Sequence, residues 1–154
     1  MMESRIATRL VESRDASSAY ALVAEYYAAA SVVACDDRDA FRREYFPPHG
    51  AFWIAEVGGQ TAGCVGLRSL DSASAEIKRM YVRPQFRGCG VGKILLQAVE
   101  AFAREKGFRE LFLDTASDMH AAARLYEQNG FVRCDRYNNN PQASIFMRKT
   151  LIVA

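Results

Sequence analysis

Hydrophobic residues recur along the chain with two periods, which together predict seven strands and four helices. Alternating or continuous apolar runs predict strands over residues 6–10, 51–57, 61–70, 74–82, 108–114, 131–137 and 143–151. Apolar residues spaced three and four apart predict helices on the other segments. These helices run from Asp15 to about Ala34, from Asp36 or Asp37 through Phe46, from a group of glycines to Gly107, and from Met119 to Asn129.

The order of these elements is β-α-α-β-β-β-α-β-α-β-β, which predicts a sheet covered by helices. The sequence GGQ between the second and third strands is typical of a hairpin. Hairpins on one side and a strand–helix–strand unit in the middle imply a mixed sheet. We therefore predict one α/β (α+β) domain over residues 1–154, with a mixed, mostly antiparallel sheet of about seven strands and helices on both faces.

Composition is consistent with one ordinary core and excludes several classes of partner. Half of the 154 residues are hydrophobic and a quarter are charged, which suffices for a globular domain. The net charge of +2 gives no basis for binding nucleic acid or a membrane surface. The longest apolar stretch, Leu22 to Cys35, is interrupted by Glu25 and is too short to span a bilayer. Since the N-terminus also lacks the apolar core of a signal peptide, we expect a cytoplasmic protein.

The spacing of cysteine and histidine predicts neither a metal site nor a redox pair. The four cysteines lie far apart without a C-x-x-C pair, and His49 and His120 are not at ligand spacing. Cys89 would need a neighbouring base to act as a nucleophile, and the sequence offers none, so we interpret it as a small filler residue. We expect reduced thiols and no metal.

Three glycines stand between the fourth strand and the third helix, in the segment YVRPQFRGCGVGK. Glycine allows sharp turns and a close approach of backbone to a ligand, and the N-terminus of a helix favours an anion such as phosphate. The nucleotide pattern G-x-x-x-x-G-K-[ST] fails here because Ile94 occupies the hydroxyl position. The dinucleotide pattern G-x-G-x-x-G ends on Lys93 or Leu95 and fails as well. What remains is R-x-x-G-x-G, beginning at Arg87.

This pattern, placed between a strand and a long helix, resembles the acetyl-coenzyme-A loop of the GNAT acyltransferase superfamily. A second segment, AAARLYEQNGFVRC, is similar to the next signature of that superfamily, A-x-x-L-Y-E-x-x-G-F. Two motifs on the appropriate elements are much more specific than one glycine motif. The resemblance implies an acetyl-CoA-dependent N-acetyltransferase with a GNAT-like fold over nearly the whole chain.

The resemblance also implies which residues bind the coenzyme. Its pyrophosphate would lie on backbone N–H groups of the glycine loop. Its pantetheine arm would add to the central strand, which in the superfamily bulges and separates from the next strand. The implied residues are Met80, Tyr81 and Val82 on the strand, and Arg87, Gly88, Cys89, Gly90, Val91, Gly92 and Lys93 in the loop.

Two side chains are candidates for proton transfer. Glu76 resembles the glutamate that acts through water as a base in lysine-acetylating members, although it could instead pair with Lys78, Arg79 or Arg68. Ordered water alone could also serve as the base. Tyr126 matches the tyrosine that points at the coenzyme sulfur in the superfamily and could protonate the leaving thiolate. The superfamily stabilises the oxyanion with a backbone N–H, which here would belong to Val82.

The acceptor amine is expected opposite the coenzyme, beneath the first two helices. Predicted contacts are Tyr26, Tyr27, Arg68 and Tyr137. Arg68 could hold a substrate carboxylate, which would suit an amino acid, or it could pair with Glu76. A small amine such as an amino acid or polyamine is therefore predicted. A protein lysine or N-terminus as acceptor, or an acyl-CoA-binding module without turnover, are the alternatives.

One position departs from the superfamily pattern. Relatives often carry an asparagine seven residues before the tyrosine, where it binds the pantetheine, but this chain has Met119. A thioether cannot replace the donors of an amide, so either Asp118 substitutes or the contact is absent. The first helix is apolar nearly all round, which makes a homodimer a further expectation.

Overall fold

The structure, a computed structural model, describes residues 5–30, 37–116 and 120–151. Its seven strands are β1 (Ile6–Leu10), β2 (Gly50–Val57), β3 (Gln60–Ser69), β4 (Ser74–Val82), β5 (Glu110–Thr115), β6 (Val132–Arg133) and β7 (Ile145–Thr150). Its helices are α1 (Ala16–Ala30), α2 (Arg38–Glu44), α3 (Val91–Glu105) and α4 (His120–Gln128). Short 3-10 turns cover Ser13–Asp15 and Pro84–Phe86. This order confirms the predicted sequence of elements.

All strands belong to one sheet, in the spatial order β1-β2-β3-β4-β5-β7-β6. The pair β4–β5 is parallel and every other pair is antiparallel. The parallel pair follows from the connection through α3, since a crossover helix returns the chain to the same end of the sheet. The prediction of a mixed, mostly antiparallel sheet is confirmed.

Helices cover both faces of the sheet, as predicted, and each face has its own core. On one face α3 and α4 pack through residues such as Leu95, Val99 and Tyr126. On the other face α1 and α2 pack through residues such as Val23 and Phe41. Burying each side chain of this size contributes roughly 1.5–3 kcal/mol, so both faces stabilise the sheet. Strand residues therefore point alternately toward one helix layer or the other.

The central strand β4 contains a bulge. Gly66 pairs with Lys78, but Cys64 pairs with Tyr81, so β4 has one residue more than β3 in this interval. Arg79 occupies the left-handed backbone region with φ of 58°. Beyond Glu76 the pairing of β4 with β5 ends, and the two strands separate. The bulge and the opening between strands are the two features that the resemblance implied.

Several predicted boundaries differ from the structure. The sixth strand was expected over residues 131–137, but only Val132–Arg133 pair with β7. The chain then turns because the Arg136 guanidinium donates to the carbonyls of Asn138, Asn140 and Ala143, which forms a compact loop. No helix in the described ranges has the length and apolar character needed to cross a membrane.

The N-termini of two helices can be compared with the capping residues predicted from the sequence. Asp37, one of two expected caps, accepts a hydrogen bond from Ala40 N at 2.9 Å and begins α2. Asp15 ends the 3-10 turn that precedes α1. The expectations for Ala34, Asp36, Asp118 and Met119 lie outside the described residues.

Candidate active site

The backbone of the glycine loop adopts a conformation that is strained for residues with a side chain. Gly88 and Gly90 have φ of 80° and 92°, a region that residues with a Cβ rarely adopt. Gly90 is the N-cap of α3 and offers no side chain to its first N–H groups, which therefore face outward. Gly92 is needed for a different reason, since a Cβ there would lie 2.7 Å from Leu125 Cδ2. It allows α4 to pack closely on the start of α3.

Two cations accompany this loop. Arg87 and Lys93 are exposed, and Arg87 Nε donates to the carbonyl oxygen of Val82 at 3.0 Å. Cys89 is exposed between the glycines, with its Sγ 3.8 Å from the Arg87 carbonyl oxygen. Free helix N–H groups with two neighbouring cations fit a diphosphate. The predicted loop residues 87–93 are thus brought together at one end of α3.

The edge of β4 beside this loop is open to a strand-like ligand. Arg83 N donates to Ala62 O, so antiparallel alternation turns the peptide groups of Val82 away from β3. Tyr81 differs from its neighbours, because its peptide groups face β3 and its ring lies in the core beneath α1. Met80 faces the α3 side and lines the gap between β4 and β5. Val82 therefore turns its N–H and its carbonyl toward the open edge, where the carbonyl already accepts a hydrogen bond from Arg87 Nε.

A cavity of about 100 Å³ occupies the gap where β4 and β5 separate. Tyr126 lies in its wall beside Met80 and is only 6% exposed. Burial raises the pKa of the Tyr126 hydroxyl, and the neighbouring Tyr26 and Asp114 raise it further. The hydroxyl therefore keeps its proton at neutral pH and has that proton to donate. Its position and protonation state suit a general acid.

Glu76 is fully buried and surrounded by donors. Its carboxylate accepts hydrogen bonds from Arg68 Nε at 2.8 Å, the Tyr137 hydroxyl at 2.5 Å and Asn138 Nδ2 at 3.0 Å. Lys78 Nζ lies 3.6 Å from the same group. Two of the ion-pair partners considered from the sequence are therefore present. The carboxylate has no exposed surface for direct contact with a substrate.

Asp114, which sequence reasoning missed, is a second buried carboxylate beside the cavity. Lys78 Nζ donates to both of its oxygens, at 3.0 and 2.8 Å, and Asn138 and Asn140 donate as well. Burial acts to raise the pKa of Asp114, but the charge of Lys78 and these donors outweigh it and hold that pKa below its ordinary value. An acidic residue at the end of a predicted buried strand was the signal available in the sequence.

The predicted acceptor contacts divide into different environments. Tyr26 lines the cavity between β4 and β5. Tyr27 is buried, with the guanidinium of Arg79 lying 5.3 Å from its ring centroid. Arg68 bridges two carboxylates, since its Nη1 also donates to Glu44 at 3.1 Å. Its guanidinium is therefore engaged with the protein in this structure.

Tyr137 reaches the site from the loop that follows β6. Its ring packs between Phe112 and Phe146, with centroids 4.9 and 5.6 Å away, and its hydroxyl binds Glu76. The rigid packing of the ring fixes the hydroxyl over the carboxylate. Burial, followed by the charge of Glu76, raises the pKa of Tyr137.

A larger cavity of about 570 Å³ lies at the other end of α3. Its walls include Leu10, Pro47, Phe102 and Lys106, and none of the predicted site residues is among its described lining. The 15 residues of α3 separate it from the glycine loop by about 22 Å at the rise of an α-helix. Tyr126, Tyr26 and Met80 line the smaller cavity. Glu76, Tyr137 and Arg68 are not among its described lining.

Comparison with known proteins identifies a family. A family model described as the acetyltransferase (GNAT) family matches residues 17–131. An N-acetyltransferase of Schizosaccharomyces pombe is 34% identical over 109 residues, which cover 69% of this chain and 67% of that protein. An N-acetyltransferase of Escherichia coli is 33% identical over 125 residues, covering 79% of this chain and 73% of that protein. The chain spans less than half of the mouse N-acetyltransferase family 8 member 5, with 37% identity over 62% of this chain and 44% of that protein.

Solved structures share the fold. A GNAT-family acetyltransferase of Staphylococcus aureus superposes with a TM-score of 0.82 at 21% identity, covering 96% of this chain and all of that chain. An acetyltransferase of Streptococcus agalactiae gives a TM-score of 0.77 at 22% identity, covering 98% of this chain and all of that one. At these identities the likeness concerns the fold alone.

The matched region contains both sequence motifs, from the glycine loop to the end of A-x-x-L-Y-E-x-x-G-F. The bulged β4 and the opening beside it are the geometry that the resemblance implied. Family, fold and relatives agree on one class of enzyme. The chain belongs to the acetyltransferase (GNAT) family and is an acyltransferase.

Proposed function

We propose that this enzyme transfers an acetyl group from acetyl-CoA to the primary amine of a small molecule, by direct attack in a ternary complex. The observation that carries the proposal is the open edge of β4, which joins the glycine loop to the cavity containing Tyr126. Two structural neighbours contain the coenzyme. They are a PaiA N-acetyltransferase of Thermoplasma acidophilum with coenzyme A (TM-score 0.70) and a GNAT acetyltransferase of Elizabethkingia anophelis with acetyl-CoA (TM-score 0.69).

Binding of the coenzyme is assigned to two parts of the chain. N–H groups at the start of α3, together with Arg87 and Lys93, would hold the pyrophosphate. The Val82 carbonyl, which has a second lone pair beside the one that accepts from Arg87 Nε, would accept from an amide of the pantetheine arm as in an added strand. Both parts adjoin the end of β4, which would direct the thioester into the cavity beside Tyr126. The Val82 N–H remains the proposed donor to the oxyanion.

Proton transfer requires an acid near the sulfur and a path for the ammonium proton. Tyr126 is the proposed acid, because it lines the cavity and retains its proton. Glu76 is the proposed base, but its burial means that a proton must reach it through a partner. The Tyr137 hydroxyl, which donates to the carboxylate at 2.5 Å, is the proposed relay for that proton. Buried Glu76 would then hold the proton until the product leaves.

The acceptor is proposed to be a small amine because of the cavity that would receive it. Its volume of about 100 Å³ admits a short group rather than a bulky one. Polar residues on its wall, including Asn140 and Gln142, could position an amino-acid-like or polyamine acceptor. The lysine side chain or the N-terminus of a peptide would have to reach this cavity from the surface in an extended conformation.

A matched pair of glycine variants tests coenzyme binding at the loop. Gly88 and Gly59 have φ of 80° and 81°, and a Cβ at either position meets nothing within 4 Å. Gly88→Glu and Gly59→Glu should therefore destabilise the fold equally, by about 1 kcal/mol. Only Gly88→Glu brings negative charge to the loop and should abolish acetyl-CoA binding measured by calorimetry. Equal affinity in the two variants would contradict the loop assignment.

Turnover is tested by thiol release from acetyl-CoA with amino acids, polyamines and peptides as acceptors. We expect release of the coenzyme A thiol with at least one small amine. Release with peptides alone would favour a protein acetyltransferase. Tight binding of acetyl-CoA without release from any acceptor would favour a binding module and contradict the proposal.

A further inference from the structure

A lysine lines the same cavity that would receive the acetyl group. Lys78 lines the cavity together with Met80 and Tyr126, and its side chain is only 9% exposed. It is the only lysine among the described lining residues of this cavity. We propose that, when the acceptor is absent, the enzyme transfers the acetyl group of bound acetyl-CoA to Lys78 Nζ, and so modifies itself. This inference rests on the proposed acetyl-transfer function.

The fold holds this amine in place rather than leaving it mobile. Lys78 is the last residue of β4 in register with β3 before the bulge, opposite Gly66. Its Nζ donates to both oxygens of Asp114, which Asn138 and Asn140 anchor in turn. An amine fixed beside a reacting centre behaves as an intramolecular reactant at a very high effective concentration. Lys78 therefore competes with an external acceptor whenever that acceptor is scarce.

The chemistry is the same acyl transfer with a different nucleophile. One proton leaves the Lys78 ammonium for solvent, which frees the lone pair. A bond forms between Nζ and the acetyl carbon, and the bond from that carbon to sulfur breaks. Tyr126 gives a proton to the departing thiolate and regains one from the new amide nitrogen. The products are acetyl-Lys78, coenzyme A as its thiol and one released proton.

Burial makes the modification selective. Free acetyl-CoA in solution can reach exposed lysines such as Lys93 and Lys106, but it reaches a side chain 9% exposed only through the opening between β4 and β5. Acetylation removes the cation that neutralises Asp114 and lies near Glu76. Two buried carboxylates would then have fewer partners, which raises the free energy of the site. Modified enzyme is therefore expected to turn over an external amine more slowly.

The test begins with protein whose mass shows no acetyl group. The enzyme is incubated with acetyl-CoA without acceptor, and acetylated lysines are mapped and quantified by mass spectrometry. The expected result is acetylation of Lys78 with a rate that saturates with acetyl-CoA and does not depend on enzyme concentration. Tyr126→Phe should slow it about 100-fold. Gly90→Glu should abolish it while leaving chemical acetylation of Lys106 unchanged.

Two controls define the site. Lys78→Arg retains the cation but removes the reactive amine, so the saturable acetylation should disappear from the whole protein. A small amine that the enzyme acetylates, added in excess, should protect Lys78.

The outcomes separate this inference from the proposed function. If the enzyme acetylates an external amine while only Lys93 and Lys106 accumulate acetyl groups, self-acetylation is wrong and the function stands. A Lys78 rate proportional to enzyme concentration would also overturn the inference, because it would indicate transfer between molecules. If calorimetry shows no binding of acetyl-CoA, the proposed function fails and the inference fails with it.

Discussion

At the level of single residues, Tyr126 combines three properties that an acid for thiolate protonation needs. It lines the cavity between β4 and β5, it is nearly buried, and its pKa is raised by burial and by the nearby Tyr26 and Asp114. A raised pKa means that the hydroxyl remains protonated even at alkaline pH. Loss of the Tyr126 proton should therefore not lower the rate at moderately alkaline pH, whereas deprotonation of the acceptor amine should raise the rate as the pH increases.

Tyr126→Phe should lower kcat about 100-fold, because the phenyl ring fills the same space but cannot donate a proton. The dissociation constant of acetyl-CoA should change by less than about twofold, since the interaction belongs to the transition state. Thiol release measures the first quantity and calorimetry the second. Tyr20→Phe is a matched control, because that ring contacts Phe41 beneath α1, outside the described lining of the cavity. An unchanged kcat in Tyr126→Phe would remove the acid assignment.

At the level of secondary structure, β4 shows what the sequence could and could not predict. Its limits, Ser74–Val82, agree with the predicted strand because its hydrophobic pattern is strong. The hydrophobic pattern does not indicate the bulge, since the residue with positive φ is Arg79 and not a glycine. The glycine that allows the close contact lies on the neighbouring strand. A Cβ at Gly63 would lie 2.4 Å from the Tyr81 carbonyl oxygen.

The candidate site was predictable where local motifs carry it and unpredictable where distant segments meet. The loop residues and Tyr126 follow from spacing within one strand–helix unit and one helix. The partners of Glu76 do not, because Tyr137 and Asn138 lie 61 and 62 residues away in a segment without periodicity. Asp114 acquires its importance only through Lys78, 36 residues away in sequence. Contacts of this kind depend on the fold as a whole.

Gly63→Ala tests whether the close approach of β3 to β4 maintains the opening between β4 and β5. The new Cβ would meet backbone rather than a flexible side chain, so the strands must separate. We expect a loss of about 1–3 kcal/mol in the free energy of unfolding, measured by urea denaturation. The affinity for acetyl-CoA should also fall, because the edge of β4 moves.

The control for that variant is Gly59→Ala in the β2–β3 turn. Its Cβ meets nothing within 4 Å, although its φ of 81° strains the backbone. It should lower stability without changing the affinity for acetyl-CoA. Should both variants bind the coenzyme as the natural protein does, β3 would have no influence on the opening.

At the level of the whole molecule, a chain of charges connects α2 to the sheet, from half-buried Glu44 and Arg68 to fully buried Glu76. It runs from Glu44 on α2 through Arg68 and Glu76 to Lys78 and Asp114 on the central strands. The loop after β6 joins this chain through Asn138, which donates to both Glu76 and Asp114. Cytoplasmic location and a homodimer stay predictions.

Because of this network, the free energy of unfolding should depend on pH in the acid range. The pKa of Asp114 is lower in the folded state than its ordinary value near 3.9. Above about pH 4 both folded and unfolded states are ionised, so the stabilisation is fully present. As the pH falls through the unfolded and then the folded pKa, the unfolded state binds a proton first and this stabilisation is lost.

Asp114→Asn removes that contribution and leaves Lys78 without its closest carboxylate. At pH 6 the free energy of unfolding should fall by about 3 kcal/mol, as expected when one partner of a buried pair is removed. The difference between natural protein and variant should shrink as the pH is lowered toward 2, which urea denaturation across a pH series measures. Asp71→Asn is the control, because Asp71 also has a lowered pKa but is exposed and accepts local hydrogen bonds from the N–H groups of Ala73 and Ser74 and from the Ser74 side chain. A smaller loss of unfolding free energy in Asp71→Asn would separate the network from ordinary turn hydrogen bonds. If Asp114→Asn lowered the free energy of unfolding by the same amount at every pH, Lys78 would not depress the pKa of this carboxylate.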